Sequence, residues 1–150
     1  MRAVIQRVSR ASVKCSSGHR DEIGAGLLIF LGVEDADSRS DIEWLSGKIN
    51  RIRIFDDSEG VMNLGFKEVK GEAMVISQFT LHASTRKGNR PSYIKAAAPT
   101  ISEPMYNDFI LQLEKDSGIK VKKGVFGDHM EVMLVNDGPV TILIDSRNRE

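Results

Sequence analysis

Residues 136–141 (NDGPVT) place a glycine and a proline between two short apolar stretches, residues 131–135 and 141–144, that are predicted to be strands. Proline has no N–H to donate to a β-ladder, and glycine permits backbone conformations that other residues avoid. The chain must therefore join two strands here through backbone of unusual geometry. Asp-Gly favours a tight hairpin turn, and the alternative hypothesis is that this backbone is itself a binding surface.

Composition indicates a globular protein with a substantial core. The 150 residues are 41% hydrophobic and 28% charged, which favours one domain, residues 1–150. Because 21 basic residues balance 21 acidic ones, affinity for RNA would require a local patch, and neither DNA nor membrane is expected as a partner. A single cysteine, Cys15, cannot form an intrachain disulfide and fits a cytoplasmic setting. We expect no signal peptide and no membrane span.

Periodicity predicts a strand-rich α+β fold with two helices. Alternating or continuous apolar patterns predict strands over residues 1–14, 23–33, 51–55, 73–81, 120–126, 131–135 and 140–145. Apolar residues three and four apart predict helices over residues 38–50 and 102–114, with Ser38 and Ser102 as N-caps and Gly118 ending the second helix. Residues 16–21 and 56–60 are predicted turns, and residues 82–91 a polar loop.

The sequence SQFTL collects three hydrogen-bonding side chains, Ser77, Gln78 and Thr80, at the end of a predicted strand. Strict alternation would place Ser77 and Phe79 on one face and Gln78 and Thr80 on the other. One interpretation is a strand that emerges into solvent. The other is a pocket wall ending in backbone N–H groups that stabilise an oxyanion. Ser77 or Thr80 would be a nucleophile only with a base to activate it, and the nearest imidazole is that of His82.

Other catalytic constellations are scarce in the sequence. The histidines His19, His82 and His129 lie far apart and show no metal-ligand spacing, so no metal site is predicted. Phosphate-binding and dinucleotide-binding glycine motifs are absent, and no base can be named for Cys15.

A basic segment, residues 82–95, carries Arg86, Lys87, Arg90 and Lys95 without any acidic residue. Such a segment can hold phosphates, and Tyr93 within it could stack on a base. The alternative interpretation is an ordinary solvated loop.

The chain closely resembles the D-aminoacyl-tRNA deacylases over nearly its whole length. The matching stretches are IGAGLL (residues 23–28), RIF (53–55), MNL (62–64), RPSY (90–93), SQFTL (77–81) and NDGPVT (136–141). The last two are the signature motifs of the family, and both are intact. A sister group that edits other mischarged tRNAs carries altered residues in both motifs, so the intact forms favour the D-specific branch.

The resemblance implies hydrolysis of the ester that joins a D-amino acid, or glycine mischarged on tRNA-Ala, to the terminal adenosine of tRNA, while L-aminoacyl-tRNA is spared. It implies a barrel-like, homodimeric protein without metal or cofactor, acting in translation quality control. In the family, the bond matching Gly138–Pro139 is cis and reaches into the partner's active site, where its carbonyls would collide with an L side chain.

The resemblance also implies a mechanism that asks little of side chains. The 2′-OH of the terminal ribose would help to activate water, and backbone N–H groups at Phe79 and Thr80 would hold the oxyanion. Ser77 and Gln78 would shape the pocket, while Phe126 and Met130 would pack on the terminal adenosine. Arg86, Lys87 and Arg90 are candidates for contacts with tRNA phosphates. Two alternatives stay open, a non-catalytic RNA-binding module and a small-molecule esterase that uses Thr80.

Overall fold

A computed structural model describes residues 1–149. In chain order it contains β1 (Arg2–Cys15), β2 (Arg20–Ile23), β3 (Gly26–Gly32), α1 (Arg39–Arg51), β4 (Arg53–Asp56), β5 (Met62–Gly65), β6 (Glu72–Ser77), a 3-10 helix (Phe79–His82), α2 (Pro99–Ser117), β7 (Lys122–Lys123) and β8 (Met130–Asp145). This confirms the predicted α+β class with two α-helices.

Strand β1 organises the main sheet because both of its edges are paired. Along one edge it runs antiparallel to β8, from Arg2↔Asp145 to Cys15↔Met130. Along the other edge it pairs with β3 and then with β2, both antiparallel. The sheet continues from β3 through β6 to β7 with parallel pairing. The result is a strongly curved, barrel-like sheet, with β4 and β5 as a separate two-stranded ribbon.

Two apolar clusters cover opposite faces of this sheet. In β3, Leu27, Ile29 and Leu31 join the cluster that also contains α1 and α2, whereas Leu28 joins the second cluster with Met74 and Ile76 of β6. A strand buried on both faces requires an uninterrupted apolar run, which is why GLLIFLG lacks alternation.

Helix α1 forms where its capping signal predicts. Ser38 is the N-cap, and the reciprocal bonds with Asp41 complete a capping box. Ile42, Leu45 and Ile49 are buried in the first cluster. Gly118, with φ of +74°, ends α2 in the left-handed conformation as expected.

Several predicted boundaries were wrong. Helix α2 begins at Pro99, and Ser102 lies in its first turn, where its hydroxyl donates to the carbonyl of Ala98 at 3.0 Å. The helix starts early because Pro99, with no N–H to lose, occupies the first helical position. The strand predicted over residues 23–33 is divided between β2 and β3, and that over 120–126 shrinks to β7. Neither α-helix within residues 1–149 has the length and apolar character needed to span a bilayer.

The largest correction concerns residues 136–141, which form no hairpin. β8 is one strand that passes through them and stays paired with β1 on both sides. Between the pairs Gln6↔Thr141 and Val8↔Asn136, the single residue Arg7 faces residues 137–140. Residues 137–140 therefore form a wide bulge, and the strand resumes beyond it because its apolar residues again find the core.

Candidate active site

A cleft of about 630 Å³ opens where β3 and β6 end. Its walls come from the end of β6, the residues that follow it, the loop before α2, and the segment leading into β8. The lining includes Ser77, Gln78, Phe79, Tyr93, Tyr106, Phe126 and Met130. Apolar and aromatic walls with a few polar groups are typical of a small-ligand site.

The SQFTL motif forms one wall of this cleft, but not as an alternating strand. Strand β6 ends at Ser77, the N–H of Gln78 donates to the carbonyl of Leu31 at 2.8 Å, and the 3-10 helix begins at Phe79. The predicted division of side chains between two strand faces was therefore wrong. Within residues 1–149, the N–H groups of Phe79 and Thr80 have no hydrogen-bond acceptor, as expected for the first residues of a helix.

Thr80 lacks a base in the structure. Its hydroxyl oxygen accepts a hydrogen bond from the Gln78 side-chain amide. His82, predicted to begin a polar loop, is instead buried, and neither ring nitrogen has a partner within residues 1–149. The imidazole packs against Gly32 rather than against a hydroxyl, so a Ser–His or Thr–His pair is not formed.

The bulge at residues 137–140 is held by two side chains. Asn136 donates its amide to the carbonyls of Arg7 at 3.0 Å and Val140 at 2.9 Å. Arg7 is buried and donates to the carbonyls of Asp137 at 3.1 Å and Ile54 at 2.7 Å. An ion pair of 3.5 Å between Arg7 Nε and the exposed Asp137 carboxylate adds to these bonds, so the bulge is fixed mainly by residues outside its tip.

Gly138 and Pro139 are exposed at the tip of this bulge, and the peptide bond between them is cis. Gly138 has φ of +129°, a conformation that L side chains rarely adopt. Neither residue lines the cleft of its own chain. The structure therefore does not bring the two signature motifs together within one chain.

The remaining predicted residues fall into two groups. Phe126 and Met130 line the cleft, and the Phe126 ring lies 5.9 Å from that of Tyr106. Arg86, Lys87 and Arg90 are exposed outside the lining, in a loop that Ser84 and Ser92 close with paired backbone hydrogen bonds of 2.8 and 2.9 Å.

Two residues that the sequence did not single out support the site. The buried hydroxyl of Tyr106 donates to the carbonyl of Val75 at 2.8 Å, and burial, with a smaller effect of Cys15, raises the pKa of Tyr106 well above 10. Tyr106 is thus a neutral hydrogen-bond donor rather than an acid or base. Arg7 is the second of these residues. Its side chain bonds to backbone carbonyls far along the chain, so no local sequence pattern indicates its role.

A carboxylate and an imidazole, those of Asp128 and His129, also line the cleft. Hydrogen bonds from Ser17 hold the pKa of the Asp128 carboxyl below the usual 3.8. Across residues 1–149, no group of three or more His, Cys, Asp and Glu side chains is placed to hold a metal ion. The reactive groups of the cleft are thus hydroxyls, amides and backbone N–H groups, together with the Asp128 carboxylate and the His129 imidazole.

Comparisons with known proteins identify the family. A family model described as D-Tyr-tRNA(Tyr) deacylase matches residues 4–145. D-aminoacyl-tRNA deacylases of Flavobacterium johnsoniae and Porphyromonas gingivalis are 56% and 59% identical to the chain over 150 residues, the whole of each protein.

Two solved structures share the fold. One, a c-Myc DNA unwinding element binding protein, has a TM-score of 0.90 and 37% identity, covering 97% of this chain and 98% of its own. The other, a probable eukaryotic D-amino acid tRNA deacylase, has a TM-score of 0.82, and the match covers 95% of this chain and 97% of that protein. Because the two sequences are only 15% identical, this likeness supports the fold alone. The chain therefore belongs to the D-Tyr-tRNA(Tyr) deacylase family and is a hydrolase of the D-aminoacyl-tRNA deacylase class.

Proposed function

We propose that the protein, acting in the cytoplasm as one deacylase domain over residues 1–150, hydrolyses D-aminoacyl-tRNA and glycyl-tRNA mischarged on tRNA-Ala. It would release the free amino acid and tRNA and leave L-aminoacyl-tRNA intact. The observation that carries this proposal is the cleft beside an intact SQFTL motif, with two backbone N–H groups free to bind an anion.

Hydrolysis would begin with attack of water on the ester carbonyl, activated by the 2′-OH of the terminal ribose. The N–H groups of Phe79 and Thr80 would stabilise the negative charge that develops on the carbonyl oxygen. The unpartnered state of both groups supports this role, as does the lack of a base for Thr80. Ser77 and Gln78 would shape the cleft floor, and Phe126 and Met130 would pack on the adenine.

Handedness would be checked by Gly138 and Pro139 of the partner subunit in a homodimer. Their exposure on a fixed bulge, outside the cleft of their own chain, supports an action in trans. β8 also exposes Met133 and Leu143 to 68% and 65%, an apolar face that a second copy could cover. Main-chain atoms near the α-carbon would exclude an L side chain but admit hydrogen or a D side chain.

The test is hydrolysis of D-tyrosyl-tRNA and L-tyrosyl-tRNA under single-turnover conditions. We expect fast release from the D form and none above background from the L form. Equal rates would refute chiral selectivity, and binding of tRNA without release from either form would favour a non-catalytic RNA-binding module.

A substrate analogue separates the proposed mechanism from an esterase that uses Thr80. D-tyrosyl-tRNA with hydrogen in place of the terminal 2′-OH, linked through the 3′ oxygen, should bind but turn over slowly. An unchanged rate with this analogue would contradict assistance by the RNA.

A further inference from the structure

The rings of an aromatic pair at the mouth of the cleft take no part in the reaction steps proposed above. Phe79 and Tyr93 contact each other edge to face, with ring centroids 5.0 Å apart. Both line the cleft, yet 57% of Phe79 and 40% of Tyr93 stay exposed. Every nucleic-acid base has a flat face on which an exposed aromatic ring can stack, so a base is a suitable ligand for this pair.

The surroundings of Tyr93 select an anionic ligand. Arg86, Lys87, Arg90 and Lys95 are exposed in the same loop, and none forms an ion pair or hydrogen bond within residues 1–149. The loop is not loose at its base, because the Ser84–Ser92 bridge fixes it next to Tyr93. Unpaired cations around a stacking ring are the usual surface for single-stranded nucleic acid.

The Phe126 wall and the aromatic pair lie on different elements of the cleft. Phe126 and Met130 belong to the segment that leads into β8, whereas Phe79 and Tyr93 belong to the end of β6 and the loop before α2. A terminal adenosine packed on Phe126 and Met130 would leave the aromatic pair free. The next base that can reach it is that of the preceding nucleotide.

We propose that Tyr93, supported by Phe79, stacks on the base immediately 5′ of the terminal adenosine, the penultimate cytosine of the tRNA. This subsite rests on the proposed function, because it assumes that the adenosine occupies the Phe126 wall. It would add affinity for the single-stranded end of any tRNA, since stacking tolerates every base.

The experiment compares a substrate that lacks the nucleotides before the terminal adenosine with one that carries them, and variants of Tyr93 isolate the contribution of the ring. D-tyrosyl-adenosine carries the reacting ester alone, and the D-tyrosyl trinucleotide CCA adds the two preceding nucleotides. Variants Tyr93→Ala and Tyr93→Leu remove the ring, whereas Tyr93→Phe keeps it as the matched control. We expect loss of the ring to raise KM for the trinucleotide about tenfold, to leave kcat unchanged and to leave KM for the nucleoside within about twofold. Tyr93→Phe should behave as wild type.

The subsite would be overturned if loss of the ring raised KM equally for the two substrates. It would also be overturned if Tyr93→Phe raised KM for the trinucleotide as much as Tyr93→Ala does. Binding of the uncharged trinucleotide CCA and of adenosine, measured by calorimetry, separates this failure from failure of the proposed function. If wild-type protein hydrolyses neither ester but binds CCA more tightly than adenosine in a Tyr93-dependent way, the subsite stands and the activity is wrong. If it hydrolyses both esters but binds CCA no better than adenosine, the subsite is wrong and the activity stands.

Discussion

Replacement of Gly138 by alanine tests the bulge both as a structure and as a selectivity element. The backbone at Gly138 has φ of +129°, and an added Cβ would lie 2.8 Å from Val140 Cγ2, 3.0 Å from Val140 N and 3.1 Å from Arg7 Nη2. The Val140 side chain can rotate, but the backbone nitrogen and the buried Arg7 cannot move far. The methyl group must therefore displace the backbone of the bulge or the Arg7 side chain that bonds to it.

The conformational cost of such a residue is about 1–3 kcal/mol. For a chain of this size, 1 kcal/mol corresponds to roughly 2–4 °C in Tm, so a cost near 2 kcal/mol predicts a fall of about 4–8 °C. A displacement of about 1 Å at a reacting site can cost on the order of a hundredfold. We therefore expect the ratio of D-tyrosyl to L-tyrosyl hydrolysis rates to fall by roughly that factor.

Thermal unfolding and single-turnover hydrolysis of both tyrosyl-tRNAs measure these effects. Gly60→Ala is the matched control, because Gly60 has φ of +77° but no atom within 4 Å of its added Cβ and does not line the cleft. It should lose about 1 kcal/mol of stability and keep wild-type selectivity. A Gly138→Ala protein with lowered Tm but a wild-type D:L ratio would refute the selectivity role, and an unchanged Tm would refute the strain argument.

Three further predictions concern the support of the cleft, acid stability and the nucleophile. Tyr106→Phe removes the buried hydrogen bond to Val75, so the free energy of unfolding in urea should fall by about 1 kcal/mol, whereas Tyr93→Phe, which alters an exposed ring, should not change it. Burial opposes ionisation of Asp41, but hydrogen bonds from Ser146 and Ser38 outweigh it and hold its pKa below 3.8. A lowered folded-state pKa gives stability that is present above about pH 4 and is lost as the pH falls through the folded-state pKa. The Asp41→Asn variant should therefore have a lower Tm than wild type at pH 7. Its Tm should also fall less than that of wild type between pH 5 and pH 3. Thr80→Val should keep its rate on D-tyrosyl-tRNA within about tenfold of wild type, because the substitution removes only one hydrogen bond. If Thr80 were the nucleophile, kcat would fall by a factor on the order of 10⁶, and that result would support the esterase alternative.

Local signals predicted the elements whose stability is local. Helix α1 follows from the Ser38 cap and its apolar stripe, and Gly118 marks the end of α2 because that turn requires a left-handed residue. The two signature motifs were recognisable as unusual from their residue types alone. Their chemical surroundings, however, come from contacts between distant parts of the chain.

The predictions that were wrong concern residues whose structure depends on contacts between distant parts of the chain. Residues 137–140 look like a hairpin because Asp-Gly favours one, but continued pairing of β8 with β1 overrides the local preference. The turn of SQFTL into a 3-10 helix and the burial of His82 depend on β3 lying beside β6. Arg7 anchors a bulge about 130 positions further along, which no local pattern can reveal. The separation of the two motifs within one chain likewise results from long-range pairing, and no local pattern predicts it; only the family resemblance implied that the second motif acts on a partner.

Mixed dimers test whether the bulge of one subunit acts on the cleft of the other. One subunit carries Phe126→Ala, which impairs the cleft, and the other carries Gly138→Ala, which impairs the bulge; two different affinity tags allow the heterodimer to be isolated. If the bulge acts on the partner's cleft, one of the two sites combines an intact cleft with an intact bulge. Action in trans predicts about half the wild-type rate on D-tyrosyl-tRNA with the wild-type D:L ratio. A heterodimer no faster or more selective than the average of the two mutant homodimers would contradict it.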